Sequence, residues 1–284
     1  MLGSASPALL RQSSETLAGR IAYHELPGFT LDETGPSHLD RLWHRGGFPR
    51  SYLARSERES CDWRRQFVRT FVERDLPILA GPLPPATLQR FWAMLAHYHA
   101  QTWNASELGR AFGVSDTVVR RYLDALTGTF VARQLRPWAE NLSKRQVHAP
   151  KVYVADSGLL HTLLGIDDAS ALERHPKVGA SWEGFALAQV VARLEVGWED
   201  CHFWATHQGA ELDLLVVHGA RRFGFEFKRT TAPAMTRSMH VALHDLRLDR
   251  LDVIHAGHET FPLSAKVRAV ACGQLAEKVA PLHS

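Results

Sequence analysis

The stretch GAELDLLVVHGARRFGFEFKRT, residues 209–230, decides how the second half of this sequence folds. Two runs rich in aliphatic and aromatic residues lie on either side of Gly219-Ala220. This pattern predicts a β-hairpin with a two-residue turn, and glycine at the first turn position suits type II′. Charged residues interrupt both predicted strands, and they require an explanation.

The acidic residues of the hairpin are expected to face each other. Side chains alternate along a strand, so Glu211, Asp213 and Leu215 should share one face. A turn at residues 219–220 places Asp213 directly opposite Glu226, where like charges about 5 Å apart are destabilising. A cation would relieve this repulsion, and Mg²⁺ held by one or two carboxylates is such a cation. Lys228, two residues after Glu226, shares its face.

A third acid comes from the preceding helix. Leu187, Val190 and Leu194 form the apolar stripe of a helix predicted from Trp182 to about residue 195, and Glu183 falls on the same stripe. A carboxylate that faces a sheet is costly unless it is paired or bound to a metal. Two simpler interpretations stay open. The glutamate can be a first-turn residue favoured by the helix dipole, and the hairpin charges can be a solvated ion pair.

Together these residues resemble a known pattern. Glu183, then GAELDLLVV with Asp213, then EFK with Glu226 and Lys228, is similar to the restriction-endonuclease-like PD-(D/E)xK pattern. The resemblance implies that Asp213 and Glu226 hold Mg²⁺ or Mn²⁺, that Glu183 assists, and that Lys228 positions or activates water at the scissile phosphate. The chain departs from the pattern in one respect, since no proline precedes Asp213.

A second motif lies upstream, in residues 86–138. Two helices that meet at Gly113, followed by the strand-like TFVARQLRPW, predict a winged helix. The second helix should expose Thr117, Arg120 and Arg121, which could contact DNA phosphates or base edges. The alternative is a docking or oligomerisation module whose arginines lie on a solvated face.

Composition sets wide limits. The chain has 284 residues with a formal charge of +3, which permits a nucleic-acid partner without requiring one. Its 3 cysteines form no CxxC pair, so neither a zinc ribbon nor a disulfide framework is expected. No apolar run reaches membrane-spanning length, and a cytoplasmic protein is expected.

The whole chain resembles a wider family, the prokaryotic AAA+-type ATPases with an appended domain of unknown function. The resemblance rests on GSASPALLRQSSETLAGR, LWHRGGFPRSYL, FVERDL, KVYVADSGLL and SWEGFALAQVV. The phosphate-binding motif GxxxxGK[ST] is missing, so the chain is expected to be the C-terminal portion of such a protein and not to bind ATP. The expected partners are DNA, a separate ATPase domain or chain, and a second copy of the chain.

The predicted architecture is α+β or α/β, with a helical winged-helix domain before a restriction-endonuclease-like mixed sheet flanked by helices. The predicted segments are an ATPase-core remnant (1–34), a helical connector (35–80), the winged helix (81–148) and the nuclease-like domain (149–284). The last is expected to end with a strand, LDVIHA, and a terminal helix. Two functions follow: a DNA-binding, Mg²⁺-dependent nuclease, or a non-catalytic adaptor that binds DNA or a protein.

Overall fold

The computed structural model describes residues 26–77, 84–139 and 149–282. Most of the expected ATPase-core remnant, residues 1–25, therefore lies outside the described residues. The same is true of residues 140–148, the end of the predicted winged helix.

The described residues form helices and a mixed sheet. The α-helices are α1 (Leu31–Thr34), α2 (Leu39–Arg45), α3 (Pro49–Tyr52), α4 (Glu57–Thr70), α5 (Pro85–His97), α6 (Ala105–Phe112), α7 (Asp116–Gly128), α8 (Ser157–Leu163), α9 (Ala169–Arg174), α10 (Val178–Leu194), α11 (Arg237–Asp245) and α12 (Leu275–Lys278). The strands are β1 (Gln101–Thr102), β2 (Ala132–Pro137), β3 (Lys151–Val154), β4 (Cys201–Ala205), β5 (Glu211–His218), β6 (Arg221–Lys228), β7 (Arg250–His255), β8 (Phe261–Ser264) and β9 (Val267–Ala271).

All nine of these strands belong to one sheet, in the order β1-β3-β2-β4-β5-β6-β7-β9-β8. The pairs β2–β4, β6–β7 and β7–β9 are parallel, and the remaining pairs are antiparallel. The fold is therefore a mixed α+β arrangement, which confirms the predicted fold class.

The central hairpin has the predicted turn and register. Its pairing runs from His218–Arg221 to Leu214–Phe225, so residues 219 and 220 form a two-residue loop. Gly219 has φ +59°, a conformation that glycine adopts without steric cost. The two-residue turn therefore gives the hairpin the register that was predicted from the sequence.

Simple alternation fails near Asp213. Leu212 and Leu215 pack in the same core, against α11, whereas Leu214 and Val216 pack in the core beneath α10. The pairing of β4 with β5 shifts by one residue in this region, which is a β-bulge. The expectation that Asp213 and Leu215 occupy one regular face is therefore wrong.

The end of the chain also differs from the prediction. After β7 the chain forms another hairpin, β8–β9, and β9 pairs with β7. The expected terminal helix is reduced to the four-residue α12. Strand β8 lies at the sheet edge and β9 lies between it and β7. The sequence VRAVA alone does not distinguish a buried strand from part of a helix.

The upstream segment has its own core. Helices α5, α6 and α7 pack on β2 and β3 around buried side chains such as Leu88, Phe91 and Leu126. Helix α6 ends at Gly113, which is left-handed with φ +66°, as the sequence predicted. Two helices, a bend and a strand therefore occur in the predicted order.

Candidate functional site

The four side chains singled out in the sequence lie together. Lys228 Nζ is 2.9 Å from Glu226 Oε2 and 3.9 Å from Asp213 Oδ2. Glu183, from α10, joins them through Lys151, whose ammonium group contacts both Glu183 and Asp213. Asp213 and Glu226 are 4% and 3% exposed, so their charges are held away from bulk water.

The position of Asp213 follows from the end of the β5–β6 ladder. The described pairing stops at Leu214–Phe225, and Asp213 Oδ2 then accepts a hydrogen bond of 3.1 Å from the backbone N–H of Phe227. A side chain thus bonds to β6 just beyond the regular ladder. The carboxylate is fixed beside Glu226 by this bond as well as by the lysine.

Two residues of the site were missed by sequence reasoning. Lys151 Nζ lies 3.4 Å from Asp213 Oδ1 and 3.5 Å from Glu183 Oε1. Tyr153 donates a hydrogen bond of 2.8 Å from its hydroxyl to Glu183 Oε1. Both come from β3. Side chains alternate along a strand, so residues 151 and 153 point to the same face of the sheet.

A signal for Lys151 was present in the composition. Lysine occurs only at positions 144, 151, 177, 228, 266 and 278, while arginine fills most basic positions. Lys151 opens the otherwise apolar strand KVYV, so a lysine rather than an arginine at this position was a signal of the same kind as Lys228 in the hairpin. The strand order places β3 beside β2 and β2 beside β4, and this long-range pairing is not visible in the sequence.

A close approach between α10 and the region of β3 brings Glu183 to Tyr153. A Cβ atom on Gly184 would lie 2.2 Å from His99 Nε2, so only glycine fits there without displacement. His99 in turn accepts a hydrogen bond of 3.0 Å from the backbone N–H of Val154 through Nδ1. Gly184 therefore sets the distance between the helix and the strand that carry the site.

Burial and charge shift the acid–base behaviour of the site. Burial and the charge of Asp213 raise the pKa of Glu183 to about 7, against the opposing effects of Lys151 and Tyr153. The same two causes raise the pKa of Glu226 to about 8, against the effect of Lys228. Burial lowers the pKa of Lys151, but the carboxylates of Glu183 and Asp213 outweigh that effect and raise it above its usual value.

The donor chemistry of the site fits a hard divalent cation. Three carboxylates face two ammonium groups, which leaves excess negative charge when all are ionised. Glu226 Oε1 is buried and has no hydrogen-bond partner. Among the described residues, however, no group of three or more His, Cys, Asp or Glu side chains has a metal-holding arrangement. Lys228 lies between Asp213 and Glu226, so a metal there would require its ammonium to move.

The predicted DNA-contacting residues lie on another element. Thr117, Arg120 and Arg121 are exposed on α7, as expected. Val119, in the same turn, is fully buried. Helix α7 packs against α6 and β2, so these residues do not belong to the acidic site on α10, β5 and β6.

Two segments of the chain match described protein families. Residues 36–170 match "Domain of unknown function (DUF8612)", and residues 178–275 match "Domain of unknown function (DUF4143)". The boundary between them falls after β3, so the acidic site takes Lys151 and Tyr153 from the first segment and its three carboxylates from the second.

The chain is also similar to whole proteins. It is 52% identical over 275 residues to an uncharacterized protein of Mycobacterium tuberculosis and to one of Mycobacterium bovis. Each match covers 97% of this chain but 62% of the relative, so the chain spans less than two thirds of the relatives' length. No solved structure gives a significant match. None of the helices within residues 26–77, 84–139 and 149–282 is long and apolar enough to cross a membrane.

Proposed function

We propose that this chain is a DNA-binding, metal-dependent nuclease whose active site consists of Glu183, Asp213, Glu226 and Lys228. The observation that carries the proposal is the convergence of these four side chains from a helix and two strands. Buried charges are costly unless they are paired or bound to a metal. Three carboxylates are buried together here, and one of them has an oxygen without a partner, which favours a bound cation. The PD-(D/E)xK resemblance supplies the same order of residues.

Each residue has a role in this proposal. Asp213 and Glu226 hold a divalent cation, and Glu183 assists them. A bound Mg²⁺ or Mn²⁺ would stabilise negative charge on the transferring phosphoryl group and lower the pKa of a water molecule. Lys228 is the most open member, with a side chain 41% exposed, and it is suited to positioning that water beside a phosphate.

The upstream segment supplies the DNA-binding part of the proposal. Its order of α5, β1, α6, α7, β2 and β3, with β3 between β1 and β2, supports the proposal of a winged helix. Arg120 and Arg121 are exposed on α7, the second of the two helices that meet at Gly113, where they can contact phosphates. Such a module would hold DNA near the acidic site.

The resemblance to AAA+-type ATPases adds a context. In this context the chain would be the nucleic-acid-processing part of a larger protein, and the ATPase would be a separate domain or chain. The proposal for this chain does not depend on that context.

A second function is favoured by one observation. Each lysine pairs with carboxylates in the present arrangement, so the site is also an ion-pair network that could serve only to hold α10 against the sheet. The chain would then be a non-catalytic adaptor that binds DNA or a protein partner.

Cleavage assays distinguish the two functions. We expect Mg²⁺- or Mn²⁺-dependent nicking of branched or flexible DNA, abolished by EDTA. Asp213→Asn and Glu226→Gln should each lower the rate by more than about a hundredfold, the scale for removing one charge-stabilising group. Lys228→Met should retain metal binding but slow cleavage.

Glu277→Gln is the matched control, since Glu277 is exposed on α12, away from the site. It should cleave at the wild-type rate. DNA binding without cleavage by the wild-type chain over many substrates and metals would reject the enzyme and leave the adaptor.

A further inference from the structure

The three carboxylates of the acidic site define two separate cation positions. Lys151 Nζ lies 3.5 Å from Glu183 Oε1 and 3.4 Å from Asp213 Oδ1. Lys228 Nζ lies 3.9 Å from Asp213 Oδ2 and 2.9 Å from Glu226 Oε2. The two oxygens of Asp213 therefore face different ammonium groups. We call the place of the Lys151 ammonium the inner position and the place of the Lys228 ammonium the outer position.

The inner position is closed. The side chain of Lys151 is 7% exposed, and its ammonium lies 5.8 Å from the centroid of the Phe203 ring. Tyr153 donates its hydroxyl hydrogen bond to the same oxygen of Glu183 that the ammonium contacts. The backbone of Lys151 is paired on both edges of β3, with Thr102 and Leu135. The ammonium is therefore held in place both by burial and by its strand.

The outer position is open and incompletely satisfied. The side chain of Lys228 is 41% exposed, so its flexible stem can carry the ammonium into solvent or toward a phosphate. Glu226 Oε1 is buried and has no hydrogen-bond partner. Once Lys228 withdraws, Asp213 and Glu226 offer carboxylate oxygens to a hard cation, and Mg²⁺ commonly binds one or two carboxylates together with phosphate oxygens and water.

The separation of the two positions agrees with the arrangement of the acids. In the part of the chain that the structure describes, no three His, Cys, Asp or Glu side chains surround a single metal position. Glu183 is paired with the ammonium beside one oxygen of Asp213, whereas Glu226 shares Lys228 with the other oxygen. Glu183 and Glu226 therefore serve different positions.

We propose that Lys151 is a resident cation that fills the inner position, so that the chain binds a single divalent cation, at the outer position. Glu183 then assists by anchoring Lys151 beside Asp213 rather than by binding the metal. Many enzymes that cleave phosphodiesters hold two metal ions, and the fixed ammonium excludes the second from this chain. Lys151 is a positioning residue that acts through Asp213. This inference rests on the proposed metal-dependent function.

Counting bound ions tests the inference without cleavage. Electron paramagnetic resonance of free Mn²⁺, during titration of the full chain without DNA, gives the number of ions bound per chain. The wild type should bind one ion. Lys151→Ala removes the ammonium and leaves room beside Glu183 and Asp213, so this variant should bind two.

Three further variants locate the second ion. Lys151→Ala combined with Glu183→Gln should return to one ion, because the inner position has then lost one of its two carboxylates. Lys151→Arg keeps the positive charge and should bind one ion. Lys278→Ala is the matched control, since Lys278 is exposed on α12, and it should also bind one ion.

Stability gives a second readout, because loss of the buried ammonium leaves two carboxylates without their cation. Mn²⁺ should raise the melting temperature of Lys151→Ala more than that of the wild type, since a ligand that binds only the folded state stabilises it. If Lys151→Ala is unfolded in EDTA, added Mn²⁺ should restore its circular dichroism spectrum.

The outcomes separate this inference from the proposed function. Two ions on the wild-type chain, or a single ion on a folded Lys151→Ala, would overturn the inference and leave the nuclease standing. A second ion that persists when Glu183→Gln is added, or an unfolded Lys151→Ala that Mn²⁺ does not restore, would also overturn it. Failure of the wild type and all variants to bind Mn²⁺ would overturn the metal-dependent function and this inference together.

Discussion

The acidic site is defined by a charge imbalance among individual residues. Lys151 lies between Glu183 and Asp213, and Lys228 lies between Asp213 and Glu226. Two cations cannot neutralise three carboxylates, and burial makes the excess charge costly. The protein can relieve the imbalance by binding either a proton or a divalent cation.

This imbalance predicts how stability depends on pH. The pKa of Glu226 is raised from 4.5 to about 8, so between these values the folded protein holds a proton that the unfolded chain releases. The contribution of Glu226 is fully present below pH 4.5 and is lost as the pH rises through about 8. In EDTA, the free energy of unfolding of the wild-type chain should therefore fall more steeply over this range than that of Glu226→Gln.

Urea unfolding at pH 5 and pH 8.5 measures the difference, and Glu277→Gln should follow the wild type. Added Mg²⁺ should recover part of the loss at pH 8.5, because a ligand that binds only the folded state stabilises it. Parallel pH profiles for the wild type and Glu226→Gln would contradict the shifted pKa.

The proximity of the four predicted residues could be deduced from the sequence better than the geometry around them. The turn at Gly219 sets the register, which is a local property, so the proximity of Asp213 and Glu226 could be deduced. The bulge near Asp213 arises from pairing with β4, and Lys151 comes from a strand about sixty positions upstream in the chain. Such non-local pairings leave no mark on local periodicity, so the sequence could not supply them.

At the scale of elements, α10 must lie close to β3. Gly184 permits this approach, because a Cβ atom there would meet His99 at 2.2 Å, whereas a Cβ atom on Gly179 of the same helix would meet nothing within 4 Å. Replacing a helical glycine with alanine is otherwise favourable by up to about 1 kcal/mol.

We therefore expect opposite effects from two identical substitutions. Gly184→Ala should lower the free energy of unfolding by about 1–3 kcal/mol, the usual cost of overpacking, and should reduce any metal-dependent cleavage. Gly179→Ala should leave stability unchanged or raise it slightly. Denaturant titrations of the two variants measure this, and equal effects would mean that Gly184 does not set the helix position.

Helix α7 is the element proposed to contact DNA. Replacing both Arg120 and Arg121 with alanine should weaken binding and lower the slope of log affinity against log salt by about 2, roughly one unit for each lost phosphate contact. Arg58→Ala with Arg69→Ala is the control, since both arginines are exposed on α4. Salt titrations with an unchanged slope in the α7 variant would favour a docking role for this helix.

At the scale of the whole molecule, the two matched segments share one sheet. Strand β2 pairs with β3 of the same segment and with β4 of the next, so the ladder is continuous across the boundary. Because Lys151 of the first segment lies against Asp213 of the second, the acidic site is complete only when both are present. The domain boundaries predicted at 81–148 and 149–284 stay a prediction, and Lys151 falls in the second of these segments together with the three carboxylates.

The whole chain also carries a prediction about nucleotides. The motif GxxxxGK[ST] binds a triphosphate through a cradle of backbone N–H groups and a lysine, and this sequence contains no Gly-Lys dipeptide. We expect calorimetry with Mg²⁺-ATP to show no saturable binding, and no phosphate release, while the same preparation binds DNA. Weak binding of ATP as a polyanion to the arginines of α7 would disappear at high salt and in the presence of DNA. Tight binding of one ATP per chain that persists at high salt would contradict the prediction, and would mean that this chain forms a phosphate site of another kind.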